Sequence, residues 1–344
     1  VHWAADMLGL TDNHGRTARD LRVSLTDRCN LRCTYCMPAE GMPWTPRAEL
    51  LTDDEIVRLI RVAVERLGVT KVRFTGGEPL LRPGLVGIVA AVKAMRTDEG
   101  APPELALTTN GVGLADRVDA LAEAGLDRVN ISLDSLDHNR YRRLARRDRL
   151  DDVLRAIDAA ARAGLRPVKL NTVVMRGINE VDVVPLVEFA LARGHELRFI
   201  EQMPLGPHGR WDADEMVTAD ELLAMLRARF TLTPADAARG AAPAEAWDVA
   251  PSDGLPGGRI GVIASVTQPF CDACDRTRLT SDGQVRTCLF SRVETDLRAP
   301  LRDGASDDEL ARRWAGAQAA KPPHHGIGEA DFVQPGRGMS AIGG

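Results

Sequence analysis

From about residue 20 to residue 230, short apolar runs alternate with longer segments whose apolar positions recur every 3.6 residues. The runs predict strands over residues 21–26, 71–75, 105–109, 128–133, 168–174 and 196–201. The periodic segments between them predict helices. Asp53 caps the first, whose apolar face is Ile56, Leu59, Ile60, Ala63, Val64 and Leu67 and which Gly68 closes. Helices over residues 85–95, 115–124, 152–163 and 181–193 follow, the last three stopped by Gly125, Gly164 and Gly194. Six βα units in a row require a parallel sheet. An open doubly wound sheet and a partial barrel fit this pattern equally.

Polar residues gather where these strands end. Asp27-Arg28-Cys29 follows the first strand and Gly76-Gly77-Glu78-Pro79 the second; the third ends in Thr108-Thr109-Asn110-Gly111. The fourth ends in Ser132-Leu133-Asp134, the fifth carries Lys169 and Asn171, and the sixth runs into Glu201-Gln202-Met203. C-terminal strand ends are where a parallel sheet or barrel builds a site, so the pattern predicts one site assembled from six strands. Beyond residue 230 the rhythm breaks. Residues 234–258, rich in Ala, Pro and Gly, read as a loop or linker. The expected organisation is an extension over 1–20, a main unit over 21–232, a linker over 233–258 and a smaller C-terminal module over 259–344 covering the mouth of the first.

The 344 residues are 44% hydrophobic and 27% charged, ordinary for a soluble fold. A net charge of −5 excludes any general attraction to nucleic acid or anionic membranes. With no signal-like or membrane-spanning apolar stretch, the chain reads as cytoplasmic, where grouped cysteines are more often metal ligands than disulfides. The six cysteines form two trios, Cys29, Cys33, Cys36 and Cys271, Cys274, Cys288.

Cys29-x₃-Cys33-x₂-Cys36 supplies three thiolates, enough for three irons of a [4Fe–4S] cube, leaving one iron open to a small molecule bearing an amine and a carboxylate. Structural zinc is the alternative, but zinc takes four protein ligands and this loop offers three. Gly76-Gly77-Glu78-Pro79 reads either as a plain turn or as a close backbone approach to a ligand, with Glu78 accepting from an ammonium. The second trio is again three ligands; a fourth for zinc would have to be His324 or His325. Beside it Arg276 and Arg278, two apart on an extended chain, point the same way and suit phosphate. With Arg22, Arg73 and Lys169 they make five cations directed at one mouth, which suggests a polyphosphate substrate. A zinc-bearing nucleic-acid module predicts a basic, aromatic-rich surface, which an acidic chain with 4% aromatics does not offer.

The CxxxCxxC loop with Tyr35 before its last cysteine, followed one strand later by Gly-Gly-Glu-Pro, resembles the radical S-adenosylmethionine superfamily. Over residues 15–344 the chain resembles the GTP 3′,8-cyclase family of molybdenum-cofactor biosynthesis. The matching stretches are Leu21 through Asn30, Thr75-Gly76-Gly77-Glu78-Pro79-Leu80, Thr108-Thr109-Asn110-Gly111, Phe199-Ile200-Glu201, Phe270 through Arg278 and Met339-Ser340-Ala341-Ile342-Gly343-Gly344. A peptide-modifying radical enzyme would share the first half but typically has more C-terminal cysteines and no Arg-Thr-Arg element beside them.

That resemblance implies a partial (βα)6 TIM-like barrel of the radical S-adenosylmethionine type with a smaller C-terminal module covering its mouth. It implies two [4Fe–4S] clusters, S-adenosyl-L-methionine as cofactor and GTP as substrate. A 5′-deoxyadenosyl radical would take hydrogen from C3′, and the C3′ radical would attack C8 of guanine, a lyase reaction. Cys29, Cys33 and Cys36 would hold the radical-generating cluster; Cys271, Cys274 and Cys288 would hold an auxiliary one. Tyr35, Gly77, Ser132 and Met203 would line the cofactor. Arg22, Arg73, Thr108, Lys169, Arg276, Thr277 and Arg278 would contact GTP, and Arg276, Arg278, Gly343 and Gly344 would serve catalysis. Implied partners are cyclic pyranopterin monophosphate synthase as the next enzyme and an electron donor such as flavodoxin or ferredoxin, with no nucleic acid and no membrane; a homodimer is compatible. Asp275 departs from the family, where Asn is common, and residues 234–258 match little.

Overall fold

The computed structural model describes residues 8–207, 211–236, 239–252 and 254–343. Six strands, β1 (Asp20–Ser24), β2 (Lys71–Thr75), β3 (Glu104–Thr109), β4 (Arg128–Ser132), β5 (Lys169–Val173) and β6 (Glu196–Ile200), pair in sequence order and all in parallel. The chain then adds β7 (Leu232–Pro234), β8 (Glu245–Val249), β9 (Gly258–Ile263), β10 (Arg276–Leu279), β11 (Gln284–Arg286) and β12 (Thr295–Asp296). β9 joins parallel to β6 and β10 parallel to β1, so the parallel run is eight strands wide. Antiparallel β8 and β7 continue one edge, β11 and β12 the other, and the order stays open from β12 to β7.

The sheet nevertheless curls. Arg278 of β10 and Ile263 of β9, from opposite ends of the parallel run, line one cavity. This is the partial barrel, unclosed by hydrogen bonds, and it decides between the two architectures that periodicity left open. Helices Asp53–Glu65, Leu85–Lys93, Val118–Glu123, Leu150–Arg162 and Val183–Ala192 are the crossovers, and their buried apolar stripes form one core with the outward faces of the strands. No helix among the described residues is long and apolar enough to cross a membrane.

Three local expectations change. The first helix is capped by Thr52, not Asp53: Thr52 Oγ1 accepts from Glu55 N while the Glu55 carboxylate accepts from Thr52 N, a reciprocal capping box. A further helix, His138–Ala145, sits on the fourth crossover; Asp137 caps it and Arg146, in the left-handed region at φ 53°, ends it. The stretch read as a linker contains β8, whose register with β9 (Trp247 opposite Ile260) buries Trp247 and Val249. Alternation across only five residues is masked by the surrounding Ala, Pro and Gly.

β10 shows how packing outside the barrel aims side chains into it. All four residues are buried. Arg276 and Arg278 face the cavity, while Thr277, on the other face, accepts from Trp314 Nε1 (2.9 Å) in the helix Asp307–Ala319. Trp314 is fully buried and anchors that helix against the sheet. Replacing Trp314 with Ala is expected to cost about 3–5 kcal/mol of unfolding free energy, and with Phe distinctly less, because Phe keeps most of the volume and loses only the hydrogen bond. Urea melts of the three proteins check this.

Candidate active site

β1 leads straight into the first cysteine loop. Arg32 N and Thr34 N donate to Ala145 O (3.0 Å) and Leu144 O (2.9 Å), while Cys36 N and Met37 N both donate to Cys33 O. The loop is thus strapped to the C-terminus of helix His138–Ala145. The Gly-Gly-Glu-Pro turn braces its other side: Gly77 N donates to Thr26 O and Glu78 N to Arg28 O, both at 2.7 Å. A Cβ on Gly77 would collide with the carbonyl oxygens of Arg28 and Asp27, so this glycine is demanded by backbone packing against the cysteine loop.

Glu78 corrects the reading of its carboxylate as an ammonium acceptor. It is wholly buried and already accepts from Leu80 N (3.0 Å), Thr109 Oγ1 (2.7 Å) and Asn110 N (2.8 Å), tying β2 to β3. Burial pushes its carboxyl up to about 7.

Cys29, Cys33 and Cys36 line a cavity of about 150 Å³ together with Tyr35, Gly76, Gly77, Thr108, Asn110, Ser132, Asp134 and Ser340. Burial pushes all three thiols up, Cys36 to about 12. Leu31 N (3.5 Å) and Asn110 Nδ2 (3.7 Å) both approach Cys29 Sγ. The Tyr35 hydroxyl donates to Asp134 (2.7 Å), whose carboxyl burial raises to about 6.

Behind it, sharing Thr108, lies a second cavity of about 130 Å³ walled by Arg22, Arg73, Asn130, Asn171, Arg198, Met203, Arg276 and Arg278 among others. Register explains the convergence: Arg22 is the Cα partner of both Arg73 and Arg278, Thr108 of Asn130, and Asn171 of Arg198. Burial, then Arg276, pulls the Arg22 guanidinium down; burial, then Arg22, pulls Arg73 down to about 9 and Arg278 well below its usual range. The Nε atoms of Arg22, Arg73 and Arg276 and the side-chain oxygens of Asn130 and Asn171 are buried without a hydrogen-bond partner. Buried polar atoms left unpaired are costly, and five around one hollow call for a polar, anionic occupant.

Cys271, Cys274 and Cys288 line a third cavity of about 80 Å³, which shares Met203, Ser265, Phe270, Arg276, Arg278 and Leu289 with the second. Lys321, almost fully buried, places Nζ 3.3 Å from Cys274 Sγ and 2.9 Å from Arg276 O. Against the effect of burial, Lys321 and Arg276 hold the Cys274 thiol below its ordinary range. Arg276 stacks its guanidinium 5.0 Å from the Phe270 ring centroid and donates to Ala241 O (2.7 Å). The Glu201 carboxylate accepts from Ala219 N, Val266 N and Thr267 N (2.8–2.9 Å), fixing the segment that leads to Cys271 on the end of β6.

The Cys₃His zinc alternative does not form: His325 Nε2 donates to Ser265 O (3.0 Å) while its Nδ1 accepts from Ile327 N, and His324 lies beside Glu329. Among the described residues no three His, Cys, Asp or Glu side chains close around a single ion. Thiols spread over a cavity wall suit separate corners of a polynuclear cluster better than one tetrahedral ion. Both trios therefore fit a [4Fe–4S] cube with three protein ligands.

Most expected site residues fall around these linked cavities, and four depart from the place expected of them. Met203 lines the second and third cavities and not the first, because the turn after β6 carries it across the mouth. Lys169 pairs with Glu196 (2.9 Å) and does not line the basic cavity. Thr277 faces the outer helix. Gly344 lies outside the described residues, whereas Gly343 accepts from Arg278 Nη1 and sits against Ser24 and Thr75. Arg198 and Asn130 were missed; inward alternation on β6 (Glu196, Arg198, Ile200) and β4 was the available signal. A larger groove of about 710 Å³ runs outside, along Arg292, Val293 and Val333, without such converging unpaired groups.

A curled parallel sheet with a three-thiol CxxxCxxC loop at the end of its first strand defines a radical S-adenosylmethionine protein. The family described as Radical SAM superfamily matches residues 23–190, and Molybdenum Cofactor Synthesis C matches residues 195–327. The GTP 3′,8-cyclase of Corynebacterium glutamicum is 62% identical over 97% of this chain and 89% of that protein, and that of Streptomyces coelicolor is 58% identical over 97% and 96%. The chain belongs to the GTP 3′,8-cyclase family. Streptococcus suis SuiB shares the fold at 15% identity, with a TM-score of 0.58 over 91% of this chain and 68% of its own. Membership sets aside the peptide-modifying and nucleic-acid readings.

The Glu78 environment has a pH consequence. Its carboxyl titrates at about 7 in the fold against about 4.5 when unfolded, so the stability it contributes is complete below about 4.5 and disappears as pH rises through about 7. The loss is on the order of 3 kcal/mol. Denaturation of wild type and Glu78→Gln at pH 5, 6.5 and 8 is expected to show this component in the wild type alone; parallel pH profiles would contradict it.

Proposed function

We propose that this chain converts GTP to (8S)-3′,8-cyclo-7,8-dihydroguanosine 5′-triphosphate, the first step of molybdenum-cofactor biosynthesis. The observation that carries this is the set of crowded, mutually repelling arginines between the two trios, Arg22, Arg73, Arg276 and Arg278, the first three with an unpartnered Nε, whose charge a triphosphate would neutralise. The family relatives support the choice of GTP by name.

Cys29, Cys33 and Cys36 hold the cluster that meets S-adenosylmethionine, and Cys271, Cys274 and Cys288 hold the auxiliary cluster. When bound, this cofactor set supplies the one-electron chemistry that removes hydrogen from ribose C3′. The chain's own residues do the rest. Tyr35, Gly77 and Ser132 wall the cofactor's cavity, with Asp134 fixing the Tyr35 hydroxyl. The arginines clamp the triphosphate at the strand ends, with Arg198 added to the expected set and Thr108 at the junction of the two hollows. Asn130 and Asn171, with unpaired amide oxygens, accept from ribose hydroxyls or base N–H groups. Gly343 is the only residue type that fits against Ser24 and Thr75; its carbonyl orients Arg278 and the tail helps exclude water. On this reading residues 21–232 generate the radical and residues 259–344 hold the base end of the substrate, in the cytoplasm, with cyclic pyranopterin monophosphate synthase receiving the product.

Anaerobic incubation with GTP, S-adenosylmethionine and dithionite should yield 5′-deoxyadenosine and a cyclised nucleotide by mass spectrometry. Cys33→Ala is expected to abolish both, whereas Cys288→Ala should retain some uncoupled 5′-deoxyadenosine while losing the nucleotide product. Equal loss of both in Cys288→Ala would remove the second trio from the substrate side.

Arg73→Ala and Arg278→Ala are each expected to raise the KM for GTP by about 10–100-fold, the size of a lost charge-assisted contact, with little change in the KM for S-adenosylmethionine. An unchanged KM for GTP would release them from the phosphate assignment.

A further inference from the structure

The helix that straps the first cysteine loop ends in a dense run of arginines that no part of the site uses. Arg142, Arg143 and Arg147 are exposed and Arg146 is half-buried, all within six residues of an otherwise acidic chain. Among the described residues none of these four has a carboxylate within ion-pair distance; Arg142 reaches Asn139 Oδ1, Arg147 the carbonyl of Arg146, and Arg146 the carbonyl of Met37 (3.1 Å). Of the acids that follow, Asp152 is engaged by Arg149 and Arg155, while Asp148 and Asp151 are exposed and turn toward His138 and not toward these arginines. A solvated helix face normally intersperses both signs. This one holds cations of one sign in a protein whose net charge is −5.

Its position is the second observation. The two carbonyls that accept from the cysteine loop, Leu144 O and Ala145 O, belong to the residues between Arg143 and Arg146. Arg146, bent into the left-handed region, donates to the residue after Cys36. Leu144 and Ala145 are buried against the loop, and Ala145 and Tyr141 line the Cys29–Cys33–Cys36 cavity itself. The basic patch is therefore the outer skin of the first trio, separated from its cavity by one helix terminus. Cys33 and Cys36 are half-buried beneath this helix terminus, so the patch is a short path through protein to the trio.

We propose that Arg142, Arg143, Arg146 and Arg147 form the docking surface for an acidic, one-electron carrier protein that reduces the centre held by Cys29, Cys33 and Cys36. This rests on the radical reading of that trio. The carrier is oxidised by one electron, the centre is reduced by one, and no atom is transferred. Charge complementarity supplies encounter and orientation, which makes the contact fast, weak and salt-sensitive, as a shuttle requires. A nucleic acid is the disfavoured occupant: the patch has no exposed aromatic and spans a single helix end.

The test uses the cluster-loaded enzyme, reduced flavodoxin as the carrier, and the triple variants Arg142→Glu/Arg143→Glu/Arg147→Glu and Arg142→Gln/Arg143→Gln/Arg147→Gln. The Kd for flavodoxin at low salt is expected to weaken by about 10-fold or more in the Glu variant and less in the Gln variant, with the salt dependence flattened in both. The rate of cluster bleaching by reduced flavodoxin should fall by a similar factor, while dithionite-driven 5′-deoxyadenosine formation stays at the wild-type level. Unchanged Kd and bleaching rate in the Glu variant would overturn the proposal, as would a Kd for single-stranded DNA tighter than that for flavodoxin. Failure of wild type to make 5′-deoxyadenosine with dithionite would instead sink the radical reading, and the flavodoxin affinities would still report on the patch.

Discussion

Like charges forced together by strand register are the constraint around which this molecule is built. Arg22 has Arg73 on one neighbouring strand and Arg278 on the other, all three facing one hollow, with Arg278 buried and the other two half-buried. No rotamer relieves this, because the backbone ladder fixes where each Cα lies. The protein offers partial relief through Asp20, whose carboxylate lies 4.0 Å from Arg73, and leaves the remainder unmet. Stability is given up at the centre so that an anion is favoured there, a common arrangement where a site is prepared in advance of its ligand.

The surrounding structure follows from keeping that hollow in place. β10 closes one side only because Thr277 and Trp314 lock its outer face; the opposite side is closed by β9, which the β7–β8 hairpin covers. The two thiol trios then lie at either end of one continuous space, joined through Thr108 on one side and through Met203, Arg276 and Arg278 on the other. Chemistry at one trio and substrate grip at the other are thus separated by the length of a nucleotide-binding hollow and by no rigid wall.

Much of this was legible in the sequence, and the failures have physical causes. All six strands fall within two residues of their expected ends because buried parallel strands read as apolar runs, and the cysteines announce themselves by spacing. Side-chain direction was not legible. Thr277 was grouped with its neighbours although alternation turns it away, and Lys169 was counted as free although Glu196, from the adjacent strand, sits within reach. Arg198 was overlooked because a lone cation on a strand looks like surface until register sets it beside Asn171. β8 was hidden because a short edge strand among Ala, Pro and Gly has no periodic signal of its own. The carboxylate of Glu78 could not be judged from sequence, since two of its three donors, Thr109 Oγ1 and Asn110 N, come from the end of the next strand about thirty residues on.

Glu201 carries one more implication. A single carboxylate collects the start of the helix Ala219–Arg227 and the turn at Val266 and Thr267, so the barrel and the auxiliary segment share an anchor. A fragment truncated ahead of Val266 would retain that buried charge with only Ala219 N to answer it. A division of the chain anywhere between residues 220 and 265 therefore leaves the N-terminal piece with a poorly answered carboxylate where its partner segment had been, so the auxiliary segment is not separable from the end of the barrel at that point.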